Sequence, residues 1–137
     1  MSAVLQEHDI FTAQREKRVE LLKRIEAHTE GQQKSAYLAF LCSENVGAAI
    51  DSADIPAIGD ALLSIGEVDE LNLIINGPGG DGTVAEKIIE LCRAHCTKFR
   101  VVVPNRAKSA ATIIALGADE IVMGWRPFRA AKAANAD

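Results

Sequence analysis

Ser109 and a run of glycines about thirty residues upstream are the parts of this chain whose types and spacing could do chemistry. Ser109 stands in Val103-Pro104-Asn105-Arg106-Ala107-Lys108-Ser109-Ala110-Ala111-Thr112, directly after a β-like run and directly before an apolar helical one. Upstream, the strand-like run Leu71 to Ile75 breaks into Asn76-Gly77-Pro78-Gly79-Gly80-Asp81-Gly82. A hydroxyl at one strand-to-helix turn and glycines at the preceding one suit acyl transfer. The serine attacks a carbonyl, and backbone N–H groups freed by the glycines receive the oxyanion. A serine hydroxyl needs a positioned base at neutral pH. Lys108 is adjacent, but neighbours at a helix start point in different directions, and it reads as solvated. No residue is assigned as general base.

The same residues have plainer readings. Serine at a helix start is commonly an N-cap whose hydroxyl accepts from the helix backbone. Small neighbours favour the nucleophile instead: Ala107, Ala110 and Ala111 leave room for a substrate carbonyl, and the helix N-terminus favours a developing negative charge. Gly77, Gly79 and Gly82 also satisfy G-x-G-x-x-G between a strand and a helix. A dinucleotide site expects a carboxylate at the end of the next strand, where this chain has Val103-Pro104-Asn105-Arg106. Pro78 is unusual for that turn, and no Gly-Lys-Ser/Thr makes a P-loop. The glycine run with a helix cap and no further role is the remaining alternative. Cys92, His95 and Cys96 could share one helical face, but with Cys42 alone as complement they fall short of a structural zinc set, and buried or half-buried thiols are the simpler reading. No metal and no cofactor are expected.

The elements that must position Ser109 and the glycines follow from periodicity. Arg15 to His28 reads as a helix with Val19, Leu22 and Ile25 on one face, ended by Glu30-Gly31-Gln32-Gln33. Tyr37 to Cys42 is short and apolar enough for a buried strand, and Ser43 to Asp54 reads as a loop. Asp54 and Pro56 signal a helix whose face is Ile55, Ile58, Leu62 and Ile65, with Gly66 as its stop. Leu71 to Ile75 is the next strand. Thr83 to Glu86 reads as a capping box for a helix from Val84 to about Cys96, with Val84, Ile88 and Leu91 facing the core. Phe99 to Val103 is a strand closed by Pro104, Ser109 to Leu116 a short helix stopped by Gly117, and Glu120 to Met123 a last strand. Such α-β alternation implies a mainly parallel sheet with helices packed on it. Sites in such sheets form at the carboxyl ends of strands, where both the glycines and Ser109 fall.

The 137 residues make one domain with a real core. A net charge of −4 gives no basic field for nucleic acid or anionic lipid. No apolar run has the length of a membrane helix, and Met1 to Asp9 lacks the pattern of a signal peptide. The chain reads as soluble and cytoplasmic, with no nucleic-acid partner and no indicated membrane association.

Ile75-Asn76-Gly77-Pro78-Gly79-Gly80-Asp81, followed by Ala85-Glu86-Lys87-Ile88-Ile89, resembles the oxyanion loop and helix of the Clp-protease/crotonase superfamily. Val102 to Ala110, then Ile114-Ala115-Leu116-Gly117-Ala118-Asp119-Glu120-Ile121-Val122-Met123-Gly124, resembles the serine dehydrogenase proteinase family, relatives of signal peptide peptidase A. Leu21 to Glu26 fits it too, so the resemblance runs from Arg15 to Gly124. It implies an α/β fold, a Clp/crotonase-like spiral of ββα units with a mainly parallel sheet. It implies a serine peptidase acting on a peptide or protein substrate as a homo-oligomer. By the same resemblance Ser109 matches the nucleophile, and Gly79, Gly80 and the backbone of Ala110 match the oxyanion hole.

The chain departs from that pattern in three ways. Ala111 stands where the family usually has glycine, and its methyl is a candidate to crowd the site or stiffen the helix start. Residues 125–137 match nothing in the family, so the expected organisation is a partial domain over 1–124, C-terminally truncated or frame-shifted, with an unmatched tail. The resemblance implies a lysine or histidine base from sequence after the nucleophile, and that has no counterpart: His8, His28 and His95 all precede Ser109, and the only lysine after it is Lys132, in the unmatched tail. Two further functions stay open on this basis: a non-catalytic peptide-binding or oligomerisation module, and a crotonase-like binder of acyl thioesters.

Overall fold

The computed structural model describes residues 2–28, 34–42, 48–77 and 79–124, with backbone alone up to residue 12. The expected helix stop at Glu30 to Gln33, part of the Ser43 to Asp54 loop, Pro78 and the 125–137 tail with Lys132 lie outside the described residues.

Eight elements alternate along the chain: α1 (Ser2–His28), β1 (Ser35–Leu41), α2 (Asp54–Ile65), β2 (Val68–Asn76), α3 (Gly82–Ala94), β3 (Cys96–Val103), α4 (Ala110–Leu116) and β4 (Glu120–Met123). The strands form one sheet in the order β1-β2-β3-β4, and every neighbouring pair is parallel. Parallel neighbours cannot be joined by a tight turn, so each pair is separated by a crossover that carries a helix.

Side chains alternate across a strand, so one face of β2 carries Leu71, Leu73 and Ile75, all fully buried. Register sets Leu71 beside Phe99 and Leu73 beside Val101, which continues the same apolar face into β3. Ile58 and Leu62 of α2, Val84, Ala85, Ile88 and Cys92 of α3, and Ala110, Ala111, Ile114 and Ala115 of α4 join these residues in one core. The expected face of α2 therefore holds. That of α3 is completed by Ala85 and Cys92, which centres the buried stripe between Ile88 and Cys92 and leaves Leu91 half-buried on its flank. Burial accounts for the Cys92 thiol, whose pKa is pushed up to about 12 by desolvation first and by neighbouring Cys96 second.

The other face of the sheet is polar at its amino end. Glu70, Lys98, Arg100 and Glu120 form a ladder across β2, β3 and β4, with Arg100 reaching both Glu120 carboxylate oxygens at 3.0 Å. Arg93 ties the end of α3 to the turn after α4, at 3.0 Å to the Gly117 carbonyl and 2.9 Å to Asp119. Asp119 in turn accepts from the Phe99 N–H at 2.8 Å. α1 is largely exposed, with Val19, Leu21 and Ile25 at its surface. No helix among the described residues is long and apolar enough to cross a membrane.

Candidate active site

The glycine loop and Ser109 meet at the carboxyl edge of β2 and β3. Beyond the last ladder pair, Gly77 forms an isolated parallel bridge with Ala107. The Gly77 N–H donates to the Arg106 carbonyl and the Lys108 N–H to the Gly77 carbonyl, each at 3.2 Å. Asn76 adds a side-chain acceptor for the Arg106 N–H at 3.3 Å. The two loops are thus extensions of two paired strands, which is why a sequence separation of thirty residues closes to contact.

Gly79 is the point of contact. A Cβ built on it would lie 2.7 Å from the Ser109 Cβ and 3.3 Å from its Oγ, so only glycine admits this approach. Its φ of 120° lies outside what other residues adopt readily. Gly80, φ 148°, lies against the backbone of Ile50. Neither the Gly79 nor the Gly80 N–H has an acceptor among the described residues, and the same holds for Ala110.

Ser109 is the one non-glycine residue with positive φ among those described, at φ 49° and ψ −118°. The Lys108 carbonyl accepts from the Ala111 N–H at 3.0 Å, which closes a β-turn with Ser109 at its second position. Those angles are type II′ geometry, where glycine is the usual occupant. The turn is pinned further by the Thr112 hydroxyl, which donates to the Ala107 carbonyl at 2.8 Å. The Ser109 carbonyl opens α4 by accepting from Thr112 and Ile113. The side chain is exposed and makes no cap hydrogen bond, so the plain N-cap reading of this serine does not hold.

The capping box expected at Thr83 also moves. Asp81 is the N-cap of α3, its Oδ1 accepting from Thr83 N–H at 2.7 Å and Val84 N–H at 3.3 Å, so the helix starts at Gly82. Ahead of α2 the structure adds a side-chain-braced turn that the sequence does not announce. The Asp51 side chain accepts from the Ala53 N–H at 2.7 Å, while the Asp54 side chain accepts from the Asp51 N–H at 2.9 Å. With the Asp51 carbonyl accepting from the Asp54 N–H at 3.1 Å, these bonds brace a turn directly before α2, whose N-cap Ala53 makes no side-chain cap bond.

Ala111 is fully buried, and its methyl lies 3.5 Å from where a Gly77 Cβ would stand, beside Cys42. It therefore fills the space under the loop. Burial, and then the Asp54 carboxylate, push the Cys42 thiol above its ordinary range, which keeps it protonated at neutral pH. Lys108 is exposed. His95 precedes β3, at the opposite edge of the sheet, and bonds the Leu91 carbonyl; His28 bonds the Arg24 carbonyl. No side chain among the described residues hydrogen-bonds the Ser109 hydroxyl. Cys96 donates to the Cys92 carbonyl, and no three metal-ligating side chains converge among the described residues.

The chain is similar to two uncharacterized proteins of Methanocaldococcus jannaschii, MJ0137 and MJ1495, at 45% and 42% identity over 53 residues. Each alignment covers 39% of this chain and 18% of the relative, so the chain matches only a small part of these curated proteins. No solved structure matches it at a significant level. Residues 13–128 match ClpP-like SDH-type serine proteinases, with the two facing turns inside the matched span, and the chain belongs to that family.

Proposed function

We propose that this chain carries the nucleophile and oxyanion donors of a serine peptidase, with Ser109 as nucleophile and the N–H groups of Gly79, Gly80 and Ala110 as donors. The observation that carries the reading is the conformation of Ser109. A serine held at a turn position suited to glycine, with its hydroxyl exposed and uncommitted to a cap, needs a reason beyond stability. Strain of this kind costs about 1–3 kcal/mol and aims the hydroxyl out of the turn, as in other strand-to-helix nucleophile turns.

In this reading the Ser109 oxygen attacks the carbonyl carbon of a peptide bond and loses its proton to a base. The carbonyl oxygen becomes an oxyanion that the loop and helix N–H groups receive. Collapse breaks the C–N bond, the amine leaves with a proton, and water hydrolyses the acyl-enzyme. The described residues do not supply the base. The substrate is a peptide or protein, and the working form is a homo-oligomer, as the ClpP-like family suggests.

The second reading, a peptide-binding or assembly module on the same fold, draws on one observation: the Ser109 hydroxyl has no hydrogen-bonded partner among the described residues. Intact mass after treatment with a fluorophosphonate separates the two. One probe mass on the wild type, absent from Ser109→Ala, supports the nucleophile. No adduct on folded protein supports the module.

A further inference from the structure

We infer that the Ile50 backbone, locked by the hydrogen-bonded turn Asp51–Asp54, is the positioning device for the glycine loop. The inference rests on the proposed role of Ser109 and adds residues that lie outside the glycine–serine pair.

The loop is held between two walls. On one side Gly79 abuts Ser109; on the other, Ile50 forms an isolated parallel bridge with Gly80. The Ile50 N–H donates to the Gly79 carbonyl at 2.8 Å, and the Ile50 carbonyl accepts from the Asp81 N–H at 2.9 Å. The first of these bonds holds the carbonyl of the peptide joining Gly79 to Gly80, and no cis peptide bond occurs among the described residues. In a trans peptide the N–H points opposite to the C=O. With the Gly79 carbonyl turned to Ile50, the Gly80 N–H points away from Ile50. Without that bond the same peptide could rotate, because both flanking residues are glycine and pass between positive and negative φ at little cost.

Ile50 can hold the loop because it is itself fixed. Its side chain is 1% exposed, and a Gly80 Cβ would clash with its backbone N and O, so the two chains touch without a side chain between them. The next residue, Asp51, is tied to α2 by three bonds: its side chain to the Ala53 N–H, its N–H to Asp54, and its carbonyl to the Asp54 N–H at 3.1 Å. A turn that only led into α2 would not need to follow directly on the residue bridged to Gly80.

The test compares fluorophosphonate labelling of Ser109 in wild type, Ile50→Pro, Ile50→Ala, Asp54→Ala and Asp54→Asn. Each is measured as the maximal labelling rate and the half-saturating probe concentration, on protein whose folded fraction is checked. Ile50→Pro removes the N–H and should slow the maximal rate ~100-fold, the scale of losing one oxyanion donor. Ile50→Ala keeps the N–H and should stay within about threefold of wild type, since a uniform packing loss does not touch the donor. Asp54→Ala should slow labelling about tenfold with the half-saturating concentration unchanged, and Asp54→Asn, which still accepts a hydrogen bond, should recover most of that. If Ile50→Pro does not fold, the Asp54 pair decides. Wild-type rates in both Ile50→Pro and Asp54→Ala would overturn the inference while leaving Ser109 as nucleophile. A wild type that takes no adduct would remove the nucleophile reading and this inference with it.

Discussion

Two turns in this molecule occupy equivalent places and are built in opposite ways. Asp81 follows β2 and opens α3; Ser109 follows β3, the neighbouring parallel strand, and opens α4. Asp81 has a relaxed extended backbone, φ −75° and ψ 120°, and its carboxylate satisfies two helix N–H groups. Ser109 has φ 49°, ψ −118° and no side-chain cap bond, although serine is among the best capping residues. One turn spends its polar side chain on the helix, and the other leaves it exposed at a cost in backbone strain. Within a single sheet edge, one polar side chain is used by the fold and the other is not, and that contrast is what supports the proposed role of Ser109.

The comparison can be broken most severely at the glycine between the two turns. Gly80→Ala would place a methyl against the Ile50 backbone at a φ that alanine rarely adopts. The expected loss is ~3 kcal/mol or more, read as a lowered denaturant midpoint, and it should carry the loop geometry with it. Asp81→Ala removes a cap and should cost about 1 kcal/mol by the same measurement, leaving Ser109 labelling close to wild type. If labelling fell as far as stability, the two turns would not be separable in the way described.

Acid titration sharpens the comparison by acting elsewhere. The Phe99 N–H and then Arg93 hold the Asp119 carboxyl below its ordinary range, and Lys98 and then Arg100 do the same for Glu120. Their folded values are depressed, so the stability they contribute is present above the ordinary carboxylate range and is lost as pH falls through the folded values. The denaturant midpoint should therefore be flat from pH 7 to about 5 and decline below it. Both groups are solvent-exposed, and the decline should be modest and weaker in high salt.

Much of the fold was legible because each element carried a local signal. Gly66 and Gly117 ended helices where expected, and the apolar runs in β2 and β3 marked strands buried on one face. Strand ends were less legible: β2 begins at Val68 and β3 at Cys96, where Asp69, Glu70 and Lys98 interrupt the apolar pattern, although Glu70 and Lys98 pair across the ladder. α1 extends back to Ser2, through residues with no apolar periodicity to announce them. At the site, the residue types of Ser109 and the glycines were visible, and their contact followed from parallel topology. The conformation of Ser109 was not, because a II′ turn normally advertises itself by glycine. The bridge to Ile50 was not either, since backbone pairing over thirty residues leaves no mark on side-chain type.

The stability of Ser109→Gly tests most directly whether the second turn holds strain for a purpose. Chemical denaturation at pH 7 should show Ser109→Gly more stable than wild type by about 1 kcal/mol, the relief of strain less the added freedom of glycine in the unfolded chain. Ser109→Gly equal to or less stable than wild type would mean that the serine is unstrained, and the contrast between the two turns would lose its basis.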